Sequence, residues 1–114
     1  MSIRTEDAAA KGDGFVTVAR VGEIPVGGVK VVRLEDQPIA LFHLEGGYHA
    51  IEDLCTHDGG PLAEGRLDGD VIECPRHGAR FNVTTGAALS LPAVAPVATF
   101  AVRIRGDEIQ VGWS

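Results

Sequence analysis

With 114 residues, and 16 acidic side chains against 10 basic ones for a formal charge of -6, the chain has the size of one domain and buries roughly 65% of its unfolded surface. The acidic balance argues against nucleic acid and against an anionic membrane as partner; it serves solubility and suits docking onto a basic patch of another protein, where charge chiefly raises the encounter rate. Two cysteines are few for a secreted disulfide scaffold, no apolar run approaches bilayer length, and "MSIRTEDAAAKGDG" has neither an apolar signal core nor a twin-arginine pair. The expectation is a cytoplasmic protein with free thiols.

Residues 1–14 are small, polar and glycine-punctuated, which predicts a flexible tail ahead of one domain over 15–114. "FVTVARV" reads as the first strand and "EIPVGG" as a turn. "VKVVRL" and "IALFHL" follow as strands parted by "EDQP", and "YHAIEDL" comes after the glycine pair at 46–47. "DVIE" is a strand after a turn at Asp68-Gly69, and "ARFNV" is another before a turn at Thr84–Gly86. "TFAVRIR" and "EIQVGWS", joined at Gly106-Asp107, make the strongest hairpin signal. No segment shows sustained helical periodicity. Short strands at this spacing predict an all-β chain, an antiparallel β-sandwich or barrel, with one insertion at about 54–80 that breaks the strand rhythm.

That insertion, "CTHDGGPLAEGRLDGDVIECPRHG", contains both cysteines and two of the four histidines. Cys55 and His57 flank one residue, and Cys74 and His77 flank two. Gly59, Gly60 and Gly78 would let backbone N–H groups approach a bound metal, while Pro61 and Pro75 stiffen the same loops. Zinc accepts two cysteines and two histidines, but zinc fingers usually keep the cysteines in one pair. Here each pair mixes one cysteine with one histidine. That suits a two-iron cluster in which one iron takes both thiolates and the other both imidazoles. Simple core burial fits poorly beside Asp58, Glu64, Asp68 and Arg76.

"CTH" and "CPRHG" match the Rieske iron–sulfur signature. "GGYHAIEDLCTH", "ARFNVTTGAALSLPA" and "VRIRGDEIQV" extend the likeness over about residues 15–112, which resemble the soluble Rieske ferredoxins of bacterial oxygenase systems. The resemblance implies a Rieske-like fold with an inserted cluster-binding subdomain and one [2Fe-2S] cluster. It assigns Cys55 and Cys74 to the inner iron and His57 and His77 to the outer one. "LPA" at 91–93, with Pro92, would be the third loop shielding the cluster.

An oxidised two-iron, two-sulfide core of charge +2 is neutralised by two thiolates and becomes -1 on reduction. A four-thiolate site would go from -2 to -3, a harder step at low dielectric. Within the resembling family, high-potential members tie their loops with a second cysteine pair and aim serine and tyrosine hydroxyls at the cluster sulfurs. The matching positions here are Gly60 and Arg76, and Ala79 and Phe81, whose side chains supply neither a disulfide nor a hydroxyl donor. The expectation is a low potential, roughly -150 mV.

Other residues read more plainly. His43, His49 and Asp53 could be joined into a two-histidine, one-carboxylate iron site, but histidines on strands beside turns are more often surface or cross-strand residues. Trp113 could be an electron conduit or an aromatic closing one end of a sheet. Arg66 and Arg76 could steer a partner or pair with Asp68, Asp70 or Glu73. The glycine pairs at 27–28 and 46–47 read as turns. Together these readings predict a one-electron carrier, not a catalyst. It would be a monomer whose exit is at His57 and His77, with Pro61, Leu62 and Pro92 forming a weak docking rim. By resemblance the donor would be an NAD(P)H-dependent flavoprotein reductase and the acceptor a non-haem iron oxygenase acting on aromatic rings. A small subunit of a nitrite-reductase-like enzyme, a ferredoxin tied to cluster assembly, and a zinc-stabilised interaction module are the alternatives.

Overall fold

The β3 segment, Gln37–Leu44, is buried on both faces, and that determines how the rest of the molecule is arranged. Side chains alternate across a strand. Ile39 and Leu41 therefore point one way, into a cluster with Val16, Leu34, Ile109 and Val111. Ala40, Phe42 and Leu44 point the other way, into a cluster with Leu62, Ile72, Phe81 and both cysteines. The near-continuous apolar run "IALFHL" is the consequence of facing two cores.

The computed structural model describes residues 14–56, 60–75, 78–91 and 95–113. Ten strands are formed: β1 Val16–Arg20, β2 Val29–Leu34, β3 Gln37–Leu44, β4 Gly47–Glu52, β5 Arg66–Asp68, β6 Val71–Glu73, β7 Arg80–Asn82, β8 Ala88–Ser90, β9 Thr99–Arg105 and β10 Glu108–Trp113. Six of them make an antiparallel sheet in the order β1-β10-β9-β4-β3-β2, and the remaining four make a second sheet in the order β5-β6-β7-β8. The larger sheet curls until its edge strands β1 and β2 approach each other. Lys30 crosses that seam, its Nζ donating to the Val18 carbonyl at 2.8 Å and lying 2.6 Å from Glu23 Oε2. The expected antiparallel sandwich or barrel is thus formed, with the small sheet laid over β3 and β4. Among the described residues no helix is long and apolar enough to cross a membrane.

Most strands fall where the apolar pattern predicts, and the departures have local causes. The turn expected at "EDQP" is only Glu35-Asp36, with φ of 52° and 73° at these two non-glycine residues; both lie in the left-handed region of a two-residue hairpin turn, so pairing resumes at once with Leu34 opposite Gln37. The turn placed at Asp68-Gly69 sits one residue later, because Asp68 pairs with Val71. Two strands, β5 and β8, were not expected. Each has only three residues and no fully buried side chain, so neither carries an alternating apolar signal.

Candidate metal centre

Two loops hang from the ends of β4 and β6 and are built alike. Cys55 follows β4 by three residues, and its N–H donates to the Gly60 carbonyl at 2.7 Å. Cys74 follows β6 directly, and its N–H donates to the Ala79 carbonyl, also at 2.7 Å. Each cysteine therefore opens a loop that closes on a carbonyl five residues further on. The second loop is tightened by the Gly78 N–H, which donates to the Cys74 carbonyl at 3.1 Å with Gly78 at φ 77°, a conformation that favours glycine.

Both cysteines are buried, at 0% and 1% exposure, neither is in a disulfide, and both belong to the same apolar cluster. Two buried thiols with that surround suit the inner ligands of a metal centre: a bound cation compensates thiolate charge that an apolar setting would otherwise leave exposed to a large desolvation cost. The donor set thus fits a cluster held by sulfur on its inner side. Among the described residues no group of three or more histidine, cysteine or acidic side chains gathers. His57, His77, Gly59, Arg76 and Pro92 lie outside the described residues, and so does Asp58.

One expectation is corrected here. Leu62, expected on the docking rim, is 0% exposed and packs in the cluster beneath the first loop. Pro61 and Pro75 are exposed on the loops themselves. Leu91, just before Pro92, is 77% exposed. The strand register also breaks up the alternative iron site. His43 lies opposite Tyr48 and His49 opposite Phe42, so the two imidazoles are on opposite faces of the sheet. His43 stacks on Tyr48 and has its Nδ1 2.6 Å from the Ile24 carbonyl, while Asp53 Oδ1 accepts the Ala63 N–H at 2.7 Å. Trp113 packs against Phe100 at the end of the β9–β10 hairpin. Arg66 stands across from Glu73.

Three contributors to the loops escaped the sequence reading. Asp53, the buried carboxylate, anchors the return of the first loop through Ala63. Thr56 joins that loop to the third, its hydroxyl donating to the Ala95 carbonyl at 2.7 Å. Gly65 allows the chain to pass against β6: a Cβ there would lie 2.0 Å from the Glu73 carbonyl oxygen. A glycine between "AE" and "RLD" is the one trace of this in the sequence.

The family model for the Rieske [2Fe-2S] domain matches residues 14–101. The chain belongs to this family. The Rieske domain is 40% identical over 100 residues to the ferredoxin component of a naphthalene 1,2-dioxygenase system from Pseudomonas aeruginosa, covering 88% of this chain and 96% of that one. It superposes on the ferredoxin of carbazole 1,9a-dioxygenase from Nocardioides aromaticivorans IC177 with a TM-score of 0.83 at 31% identity, covering 88% and 98% of the two chains. A chain from a complex of reduced oxygenase and oxidised ferredoxin in carbazole 1,9a-dioxygenase gives a TM-score of 0.81 at 38% identity, covering 86% and 92%. Such ferredoxins carry electrons for a catalyst and are not the catalyst. This Rieske domain is accordingly an electron carrier with a [2Fe-2S] centre.

Proposed function

We propose that this chain carries one electron at low potential on a single [2Fe-2S] cluster, from an NAD(P)H-dependent flavoprotein reductase to a non-haem iron oxygenase that acts on aromatic rings. Cys55 and Cys74 would hold the inner iron and His57 and His77 the outer one. The observation that carries the reading is the pair of like-built loops, each opened by a buried cysteine and closed five residues on, converging on one apolar cluster. When bound, the cluster supplies a site that gains or loses one electron. The chain's residues fix that site in place: backbone hydrogen bonds close the loops, Asp53 and Thr56 tether them, and Leu62, Phe81 and Ala79 keep water from the sulfur side.

The potential is read as low because Ala79 and Phe81, both fully buried in the cysteine cluster, offer it no side-chain donor. The matches among oxygenase ferredoxins, one of them in a complex with its oxygenase, support the acceptor. Pro61, Leu91 and Pro92 would form the apolar rim against which a partner docks weakly. One domain over 15–114 with its cluster insertion at about 54–80, a monomeric state and a cytoplasmic setting complete the reading. A redox titration with EPR tests it. A reversible one-electron signal of mixed nitrogen–sulfur ligation near -150 mV, the foot of the Rieske range, is expected, together with electron delivery to a reconstituted aromatic-ring oxygenase. Stoichiometric zinc in a colourless protein would defeat the proposal, as would a clearly positive midpoint its low-potential part.

A further inference from the structure

The strand register of the small sheet lines up four residues beside the second cysteine loop. Arg66 is opposite Glu73, Glu73 opposite Arg80, and Arg80 opposite Ser90. Residues directly opposite share a face, so the four form one row on the side away from Ile72 and Phe81. Cys74 is the residue directly after β6. Glu73 does not lie flat in this row: its Oε2 is 3.4 Å from the place a Cβ would take on Gly78. The carboxylate thus leans over the end of the second loop at Gly78. It also lines a hollow of about 440 Å³ with Glu64, Arg66, Cys74, Pro75 and Gly78.

We propose that the half-buried Glu73 carboxylate is a potential-setting group, placed to oppose reduction of the cluster held by the loop beneath it. The proposal rests on the ferredoxin reading above. A centre that goes from neutral to -1 on reduction is disfavoured by a fixed negative charge nearby. The two arginines beside Glu73 in the row do not cancel this, for a physical reason. Both are exposed, and exposed charges are screened by water and salt far more strongly than partly buried ones. Arg66 and Arg80 therefore act mainly as cross-strand neighbours that keep a glutamate acceptable on this face, and Glu73 is the charge the loop feels.

The test is the midpoint potential of the loaded protein, by voltammetry and by EPR-monitored titration, in the wild type, Glu73→Gln, Glu73→Ser and Glu73→Asp. Both neutral variants are expected to favour reduction three- to tenfold, which is about 30–60 mV upward at 59 mV per tenfold for one electron. Glu73→Asp keeps the charge and is expected to stay close to wild type, and Arg80→Gln to move the midpoint much less than Glu73→Gln. An unchanged or lower midpoint in the neutral variants overturns the proposal. So does loss of the cluster in both, since Glu73 would then be needed for the loop's structure and not for its charge. A wild-type midpoint well above the expected range would count against the low-potential reading alone, because the sign of the Glu73 shift does not depend on it.

Discussion

The Thr56 hydroxyl donates to the Ala95 carbonyl at 2.7 Å across 39 residues of chain, fastening the first cysteine loop to the segment that follows Leu91–Val94. The bond ties the start of the first loop at Thr56 to Ala95, two segments far apart in sequence. Thr56→Val keeps the shape and removes the donor. One such bond is worth about 0.5–1.5 kcal/mol, so opening of the third loop should become roughly two- to tenfold more frequent. The expected outcome is a matching acceleration of cluster bleaching in air, followed by visible absorbance, with Thr56→Ser restoring the slow rate. Equal bleaching rates in wild type and Thr56→Val would show that the third loop is held by other contacts.

Gly65 makes a sharper prediction because its constraint is backbone against backbone. A methyl group there would meet the Glu73 carbonyl oxygen at 2.0 Å, and that oxygen belongs to the strand that delivers Cys74. Gly65→Ala must therefore shift β5 or β6, at about 1–3 kcal/mol or more, and should lower both stability in urea and the yield of cluster per chain. Gly69 is the control. It has φ 63° but nothing within 4 Å of its Cβ position, so Gly69→Ala carries only local backbone strain and should leave cluster loading intact.

Much of this architecture was legible in the residue pattern. The strands with strong signals are those facing both cores or one core with regular alternation, such as "IALFHL" in β3 and the β9–β10 hairpin. The two cysteines and the loops around them followed from the spacing of sulfur and imidazole donors. What was not legible depends on long-range contact. Leu62 is expected from the sequence on an apolar docking rim with Pro61 and Pro92. Its burial comes from packing on β3 and the small sheet, which no local pattern encodes. Likewise β5 and β8 exist because β6 and β7 offer edges to pair with, not because their three residues favour extended structure. Thr56 stands between two ligand candidates and looks like a spacer until its partner 39 residues away is known.

The barrel seam carries a pH dependence. Glu23 titrates below its ordinary value of 4.5, first because of its hydrogen bond with Lys30, then because of the Arg20 N–H it accepts. A carboxylate whose folded pKa is depressed contributes stability above the unfolded value, and that contribution disappears as pH falls through the folded pKa. Both side chains are more than a third exposed, so solvent screening limits the pair to roughly 0.5 kcal/mol. Urea unfolding of wild type and Glu23→Gln should therefore differ by about that amount at pH 7, and the gap should close below pH 4.5. Lys30→Met also removes the bond to the Val18 carbonyl, and should cost about 1 kcal/mol. A gap that widens as pH falls would reverse the sign assigned to Glu23.

Phe81 and Ala79 allow the low-potential reading to be tested by adding what they lack. Phe81 is fully buried in the cluster that contains both cysteines, and Ala79 supplies the carbonyl that closes the Cys74 loop. A hydroxyl on either residue that reaches a cluster sulfur would stabilise the more negative, reduced state. A net hydrogen-bond contribution of about 0.5–1.5 kcal/mol corresponds to roughly 20–65 mV for one electron. Phe81→Tyr and Ala79→Ser are each expected to raise the midpoint by that order, and the two shifts should add only if the hydroxyls reach different sulfurs. The added tyrosine oxygen enters an apolar cluster, so without such a partner it would lower stability by about 1–3 kcal/mol and leave the potential unmoved. Thermal unfolding measured beside the redox titration separates these outcomes. A raised midpoint with little loss of stability means the hydroxyl has found the cluster. A destabilised protein with the wild-type midpoint means that Phe81 faces the apolar core instead, and that the low potential has another source.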